Sequence, residues 1–241
     1  MFMSDLKLDK PLQRGSKDGQ VKLVQEWLSL HGENVGIDGD FGPATQSAVK
    51  DFQNKAALAA TGIVDMHTFE RLVAPMLAAL QPIPANGQSL GALVVAYAQQ
   101  HLTQHPREVG GQNSGPWVRL YMDGHEGTPW AWCAGFACFC LKKAGDTLGT
   151  QIPIKASFSC DELAASAKQH GLFVDHIKAG PGSFFLVRKS PTDWTHTGII
   201  VSTAGETFRT IEGNTNDDGS REGYEVCART RAYGKTDFIL I

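Results

Sequence analysis

The chain has 241 residues, 42% of them hydrophobic and 20% charged, with a formal net charge of −3. That is room for two modest domains, or one large one, of ordinary globular composition. Basic and acidic residues are balanced along the sequence, so neither half offers the polycationic surface that attracts nucleic acid or anionic membranes.

The first residues, Met1 to Lys7, lack the apolar core of a signal peptide,. Residues 5 to about 78 then read as a small helical unit. Leu23, Val24, Trp27 and Leu28 recur at helical spacing, and Gly32 supplies a stop,. After the turn Gly36-Ile37-Asp38-Gly39-Asp40-Phe41-Gly42, Pro43 suits the first turn of a second helix that buries Ala48, Val49 and Phe52,. A weaker echo runs from Thr61 to Phe69, with Asp65 as N-cap of a third helix carrying Phe69 and Leu72,. This internal repeat predicts a compact three-helix unit. Asp38 and Asp40 do not begin an EF-hand loop, because its sixth and twelfth positions would hold Pro43 and Val49,. Turn-forming roles are preferred for them, and no metal is expected.

Gln81 to Gln88 contains two prolines and reads as a short extended linker,. Ser89 can cap a helix over 90–102. Its apolar run, Leu90 to Ala98, falls short of the ~20 residues that span a bilayer,. Further helices are predicted over roughly 131–144 and 160–170, the latter with a capping box from Ser159 and Glu162,. Five strand-like runs follow, 184–187, 198–201, 208–211, 226–229 and 238–241, and their short connections predict an antiparallel meander,. The fold class is α+β.

The five cysteines are Cys133, Cys138, Cys140, Cys160 and Cys227. An odd number precludes a complete set of intrachain disulfides, and no pair has zinc-type spacing. Cys138 and Cys140 fall in an apolar helical run and read as buried side chains. Reduced thiols suit storage in the cytosol.

Cys133 differs from the others. It sits where the loop Pro129-Trp130-Ala131-Trp132 meets an apolar run, so a helix begins at or near it. A helix N-terminus favours the thiolate. His196 lies far downstream, before Ile199-Ile200-Val201, and Glu212-Gly213-Asn214 follows on the next predicted strand. Cysteine, then histidine, then carboxylate or amide is the order of a papain-like nucleophile, base and orienting group. Glu212 and Asn214 both qualify as orienter. A carboxylate stabilises the imidazolium more than an amide does, which favours Glu212 with Asn214 as polar neighbour. His125, on a glycine-flanked loop, is a rival base. His31, His67, His101, His105, His170 and His176 fall in no ligand cluster, so no metal or other cofactor is called for,. Trp130, Trp132 and Trp194 either line a cleft or pack in the core.

Two resemblances join these readings. Residues 8 to 75 resemble the peptidoglycan-binding domain 1 family through Leu12 to Gly15, Val21 with Gln25, Gly36 to Thr45, Ala48-Val49-Phe52-Gln53 and Thr61-Gly62. This resemblance implies binding to cell-wall glycan or stem peptide, with Asp38, Asp40, Phe41 and Thr45 as candidate wall-binding positions. Residues 88 to 241 resemble the CHAP group of the NlpC/P60 superfamily. The carrying residues are Gly110 to Pro116, Trp132 to Phe136, His196 to Val201 and Ile211 to Thr215. That implies a papain-like fold and hydrolysis of amide bonds, mostly in peptidoglycan.

The domains expected are a peptidoglycan-binding domain at 1–80, a linker at 81–88 and a CHAP domain at 89–241. Cys133, His196, Glu212 and Asn214 are the expected catalytic set. Gln112 or Asn113 is a second oxyanion donor beside the Cys133 N–H, and Trp132 and Trp194 are expected against substrate. The expected enzyme is an endolysin-like, monomeric peptidoglycan hydrolase, either an N-acetylmuramoyl-L-alanine amidase or an endopeptidase. The alternatives are a wall-binding protein with an inactive CHAP domain, and an amidase or acyl transferase acting on a small amide. Bacterial peptidoglycan is the expected partner, without nucleic acid or integral membrane association. Synthesis in the cytoplasm without a signal peptide would require release to the wall or periplasm through a phage-type pore or a secretion machine.

Overall fold

A computed structural model describes residues 4–216 and 223–241; the first three residues of the N-terminal segment read above lie outside it. Among the described residues are eight α-helices: α1 (Gly19–Leu30), α2 (Pro43–Lys55), α3 (Met66–Leu72), α4 (Ala74–Ala79), α5 (Leu90–Leu102), α6 (Pro116–Tyr121), α7 (Cys133–Leu148) and α8 (Cys160–Gln169). Six strands follow: β1 (Phe173–Val174), β2 (Phe184–Ser190), β3 (Asp193–Ala204), β4 (Thr207–Thr215), β5 (Glu225–Ala232) and β6 (Thr236–Ile239). The fold is α+β, with helices packed on one antiparallel sheet. No described helix is long and apolar enough to cross a membrane.

The chain divides into two compact units. One runs to Leu80 and adds Arg107–Gly127; the other comprises Gln81–Pro106 and Thr128–Ile241.

In the first unit, α1, α2 and α3 begin with the caps their sequences offer. Asp18 Oδ1 accepts from Val21 N at 3.0 Å, Pro43 opens α2, and Asp65 Oδ1 accepts from Thr68 N at 2.8 Å. The repeat has a physical basis in two buried glutamines. Gln25 Nε2 donates to Asp38 Oδ1, the Asp40 carbonyl and Thr45 Oγ1, while its Oε1 accepts from the Asp38 and Gly39 amides. Gln53 does the same for the second turn, reaching Thr61 Oγ1, the Ile63 carbonyl and Thr68 Oγ1 and accepting from Gly62 N. Each amide satisfies a whole turn of backbone that would otherwise be buried without partners.

The segment Arg107–Gly127 groups with this unit, whereas the sequence boundaries assigned it to 89–241. The reason is a short helix, α6, that the sequence reading missed. Trp117 packs edge-on against Trp27 with ring centroids 6.0 Å apart. Arg119 sends Nε to Asp5, Nη2 to Glu26 and Nη1 to Glu126, each at 2.6 Å. Glu26 is only 2% exposed in its side chain, so this guanidinium is what makes its burial tolerable,.

In the second unit the strand order is β1-β6-β2-β3-β4-β5. Strands β2 to β5 form the expected meander. The last strand departs from it: β6 returns to the far edge and pairs with β2, Phe185 opposite Phe238, and the unforeseen β1 pairs beyond it. That return unites Phe185, Ile200, Phe208 and Phe238 with Ala179 in one buried cluster, which a simple meander would leave open. Helix α7 lies against β3 and β4. Ser89 caps α5 and Ser159 caps α8. The expected capping box at α8 is relayed, since Glu162 Oε2 accepts from Ser157 Oγ, which in turn accepts from Ser159 N.

Replacing Arg119 by alanine leaves buried Glu26 with only the half-exposed Lys22 ammonium, 3.7 Å away, as counter-ion. The expected loss is about 3 kcal/mol in the stability of the first unit. Urea denaturation of the full chain, read by hydrogen exchange of the α1 amides, measures it.

Candidate active site

Cys133 occupies the first position of α7, after Trp132 as N-cap. No carboxylate lies in the first turn to compete for the helix N-terminus. The exposed amides and aligned dipoles of that turn therefore act on the sulfur. His196 projects from β3, and its Nε2 lies 2.8 Å from Glu212 Oε2 on β4. With Nε2 so engaged, Nδ1 is the ring nitrogen left over, and the Cys133 thiol and the imidazole lie near enough to shift each other's ionisation.

Glu212 is completely buried. Thr210 Oγ1 donates to its Oε1 at 2.5 Å, and Arg231 on β5 grips both oxygens, Nε to Oε1 at 2.6 Å and Nη2 to Oε2 at 2.5 Å. This two-pronged guanidinium contact fixes the carboxylate plane. Arg231 also lies over the Phe185 ring, 4.9 Å from its centroid.

The charges follow from this geometry. Burial pushes the Glu212 carboxyl up, but Arg231 and then His196 outweigh it and hold it at about 2. Burial pulls His196 down, and hydrogen bonds and charge from Cys133 and Glu212 overcome this and raise it to about 9. The Cys133 thiol is held well below the ordinary thiol range. Its hydrogen bond with Cys160 contributes most, burial opposes, and His196 and the Thr197 backbone N–H add to the lowering. These shifts favour a thiolate–imidazolium pair backed by a carboxylate,.

The glycines of both motifs make room for this. A Cβ on Gly198 would stand 2.8 Å from Glu212 Cγ and from Phe185 Cε1. A Cβ on Gly213 would stand 2.7 Å from Phe136 Cβ and 2.9 Å from the Trp132 ring, prising α7 off β4.

The remaining sequence candidates fall elsewhere. Asn214 has a left-handed backbone, φ 53°, and its Nδ2 donates to the Gly223 carbonyl at 2.9 Å. The β4–β5 register shifts between Glu212 and Thr215, so the simple alternation that aligned Asn214 with Glu212 is interrupted. Gln112 and Asn113 belong to the first unit; Asn113 is buried in a left-handed turn and its carbonyl accepts from Gly127 N at 2.6 Å. Two expected substrate contacts need correction. Trp132 is completely buried against Gly213 and serves packing. Trp194 is only 7% exposed; its Nε1 donates to Asp237 at 2.8 Å and Lys168 covers its ring. Half-buried Trp130, edge-on to Phe158, is the better-exposed tryptophan of the second unit.

Two of the candidate wall-binding residues are likewise internal. Phe41 is completely buried and Thr45 is 2% exposed, held by Gln25. Asp38 serves the same turn through Gln25, and Asp40 pairs with Lys17 at 2.7 Å. Among the described residues, no three or more His, Cys, Asp or Glu side chains group as metal ligands.

The family model PG_binding_1, a peptidoglycan-binding domain, matches residues 17–72, and the CHAP domain model matches residues 123–214. The chain joins a peptidoglycan-binding domain to a CHAP domain. The CHAP match spans Cys133, His196, Glu212 and Asn214. A zinc D-Ala-D-Ala carboxypeptidase of Streptomyces albus G is 39% identical over 64 residues, 25% of this chain and 25% of that protein. A peptidoglycan-binding protein from Clostridioides difficile, solved in complex with glutamine hydroxamate, is 43% identical over 26% of this chain and 40% of its own, with a TM-score of 0.26. A fused zinc-dependent amidase/peptidase/peptidoglycan-binding domain-containing protein from Clostridium acetobutylicum is 28% identical over 41% of this chain and 47% of its own, TM-score 0.26. The chain thus spans a quarter of the curated relative and less than half of each structure.

Three positions of the site escaped the sequence reading. Arg231 and Thr210 hold Glu212, and Cys160 Sγ lies 4.0 Å from Cys133 Sγ. A basic residue on an otherwise unremarkable strand and a helix-capping neighbour carry no local signal of this.

The shifts set how the CHAP domain's stability depends on pH. Glu212 is depressed from 4.5 to about 2, so its contribution is full above 4.5 and is lost as pH falls toward 2,. His196 is raised from 6.5 to about 9, so its contribution is full below 6.5 and is lost as pH rises through 9,. Replacing Glu212 by glutamine removes a main support of the imidazolium. The His196 ring, followed by NMR, is expected to titrate near 9 in the native protein and clearly lower in E212Q.

Proposed function

We propose that the protein is a peptidoglycan hydrolase that cleaves an amide bond with Cys133 as nucleophile. The observation that carries this reading is that Cys133, at the first turn of α7, shares its site with the hydrogen-bonded series His196–Glu212–Arg231, and that the thiol and the imidazole favour each other's charged form. The N-terminal domain supports the cell wall as partner and a targeting role for that half.

In this mechanism the Cys133 thiolate attacks the amide carbonyl carbon. The backbone N–H of Cys133 has no acceptor within its own helix turn and faces the developing oxyanion. The His196 imidazolium then gives its proton to the leaving amine, producing a thioester. Water, deprotonated by the now neutral His196, attacks the thioester and returns the thiol. Glu212 stays ionised throughout and keeps the ring oriented and its cation stabilised, while Arg231 and Thr210 keep Glu212 in place.

Purified protein is expected to clear a suspension of isolated sacculi, and Cys133→Ala to lower the rate by at least about a thousandfold. An active C133A protein would refute the nucleophile. Mass spectrometry of released fragments assigns the bond. A new N-terminal L-alanine and free muramic carboxylate identify an amidase, and any other new amine an endopeptidase. The rate is expected to fall as pH rises through about 9, where His196 loses the proton it must donate,.

A further inference from the structure

Cys160 has no part in the hydrolysis above, yet it occupies the same site. It begins α8 as Cys133 begins α7, and the two sulfurs are 4.0 Å apart. Both residues are nearly closed to solvent, Cys133 at 5% and Cys160 at 8% exposure. Bonded sulfurs stand about 2.05 Å apart, so small side-chain rotations could close the gap without moving either helix by a turn. The geometry points to Cys133 and Cys160 as a reversible dithiol–disulfide pair, in which Cys160 captures an oxidised Cys133 and shuts the enzyme off in a recoverable form.

The chemistry needs a hydroperoxide as oxidant. The Cys133 thiolate attacks its outer oxygen; an S–O bond forms as the O–O bond breaks, leaving Cys133 as a sulfenic acid. His196 supplies the proton that the departing oxygen requires. The Cys160 sulfur then attacks the Cys133 sulfur. An S–S bond forms, the S–O bond breaks, and the hydroxyl leaves as water with the Cys160 proton. The net change is two thiol groups oxidised to one disulfide and one hydroperoxide reduced to alcohol (or water) plus water.

The neighbouring charges suit the order of events. With Cys133 ionised, its hydrogen bond and charge, together with burial, keep Cys160 protonated well above the ordinary thiol range. Conversion of Cys133 to a neutral sulfenic acid removes that opposing charge, so Cys160 becomes easier to ionise when its attack is required. The other cysteines of α7 are poorly placed to compete. Cys138 donates to the Ser157 carbonyl, burial raises it to about 11, and Cys140 is completely buried.

That the pair forms stands on geometry alone; that its formation silences the enzyme rests on the Cys133 reading above. The full-length protein is treated with hydrogen peroxide, then alkylated and mapped by mass spectrometry without reduction. The expected product is a Cys133–Cys160 crosslinked peptide about 2 Da lighter than the two thiols. Sacculus hydrolysis should fall at least about tenfold and return with dithiothreitol. In C160S the same treatment should carry Cys133 to the sulfinic acid, about 32 Da heavier, with no recovery. Wild-type protein that accumulates the Cys133 sulfinic acid with Cys160 still alkylated overturns the proposal, whatever C160S does. Crosslinked protein that still hydrolyses sacculi overturns the nucleophile reading, and with it the silencing, while leaving the disulfide established.

Discussion

A single buried carboxylate organises the catalytic half. Glu212 has no access to water, and burial alone would neutralise it. It stays charged because Arg231 meets it with two parallel hydrogen bonds and Thr210 with a third,. Its charge adds to that of Cys133 in favouring the His196 cation, and Cys133 is favoured as an anion by Cys160 first and by His196 after it. The partners matter physically. An isolated buried thiol would be driven toward the neutral form, as Cys138 and Cys140 are, both raised by burial in the same helix. Three cysteines within eight positions of one helix thus have opposite ionisation behaviour, and what differs is the set of partners on β3, β4 and α8.

The first unit solves a different problem with neutral groups. Its turns carry few apolar side chains to hold them, so Gln25 and Gln53 act as internal templates, each gathering a loop around one amide. The conspicuous residues of the repeat, Phe41, Thr45 and Thr68, are those turned inward onto these amides and the adjoining core. The shared phrase in the sequence is therefore a record of how the loops are built. The wall targeting proposed for this half would fall to side chains on the outer surface, where the repeat imposes little.

This distinction explains what could be read from sequence. Helical periodicity and caps at Asp65 and Ser89 give α3 and α5, because their information is local. Cys133, His196 and Glu212 stand out through motif and order; His196 and Glu212 are hydrogen-bonded, and Cys133 is near enough to His196 for each to shift the other's ionisation. Arg231 could not be found that way: its reach to Glu212 depends on the pairing of β5 with β4, which sets Arg231 opposite Phe208 and which no local pattern reveals. The return of β6 to the far edge is likewise a long-range choice, settled by the aromatic cluster around Phe185 and Phe208. Trp132 and Trp194 look alike to a reader seeking sugar-stacking rings, and only their packing shows both to be internal. Helix α6 was missed because six residues are too few for a periodic signal, and Arg107–Gly127 joins the first unit through ion pairs whose acceptors lie about a hundred residues away in sequence.

The absence of a side chain at residue 213 also bears on how α7 is seated against the sheet. Helix α7 rests directly on the backbone there, so the seating of the helix that begins with Cys133 on the strand that carries Glu212 is set by main chain against aromatic face. Such a seat has almost no slack. One methyl group inserted as a shim would meet Phe136 at 2.7 Å and force the helix that begins with Cys133 away from the strand that carries Glu212.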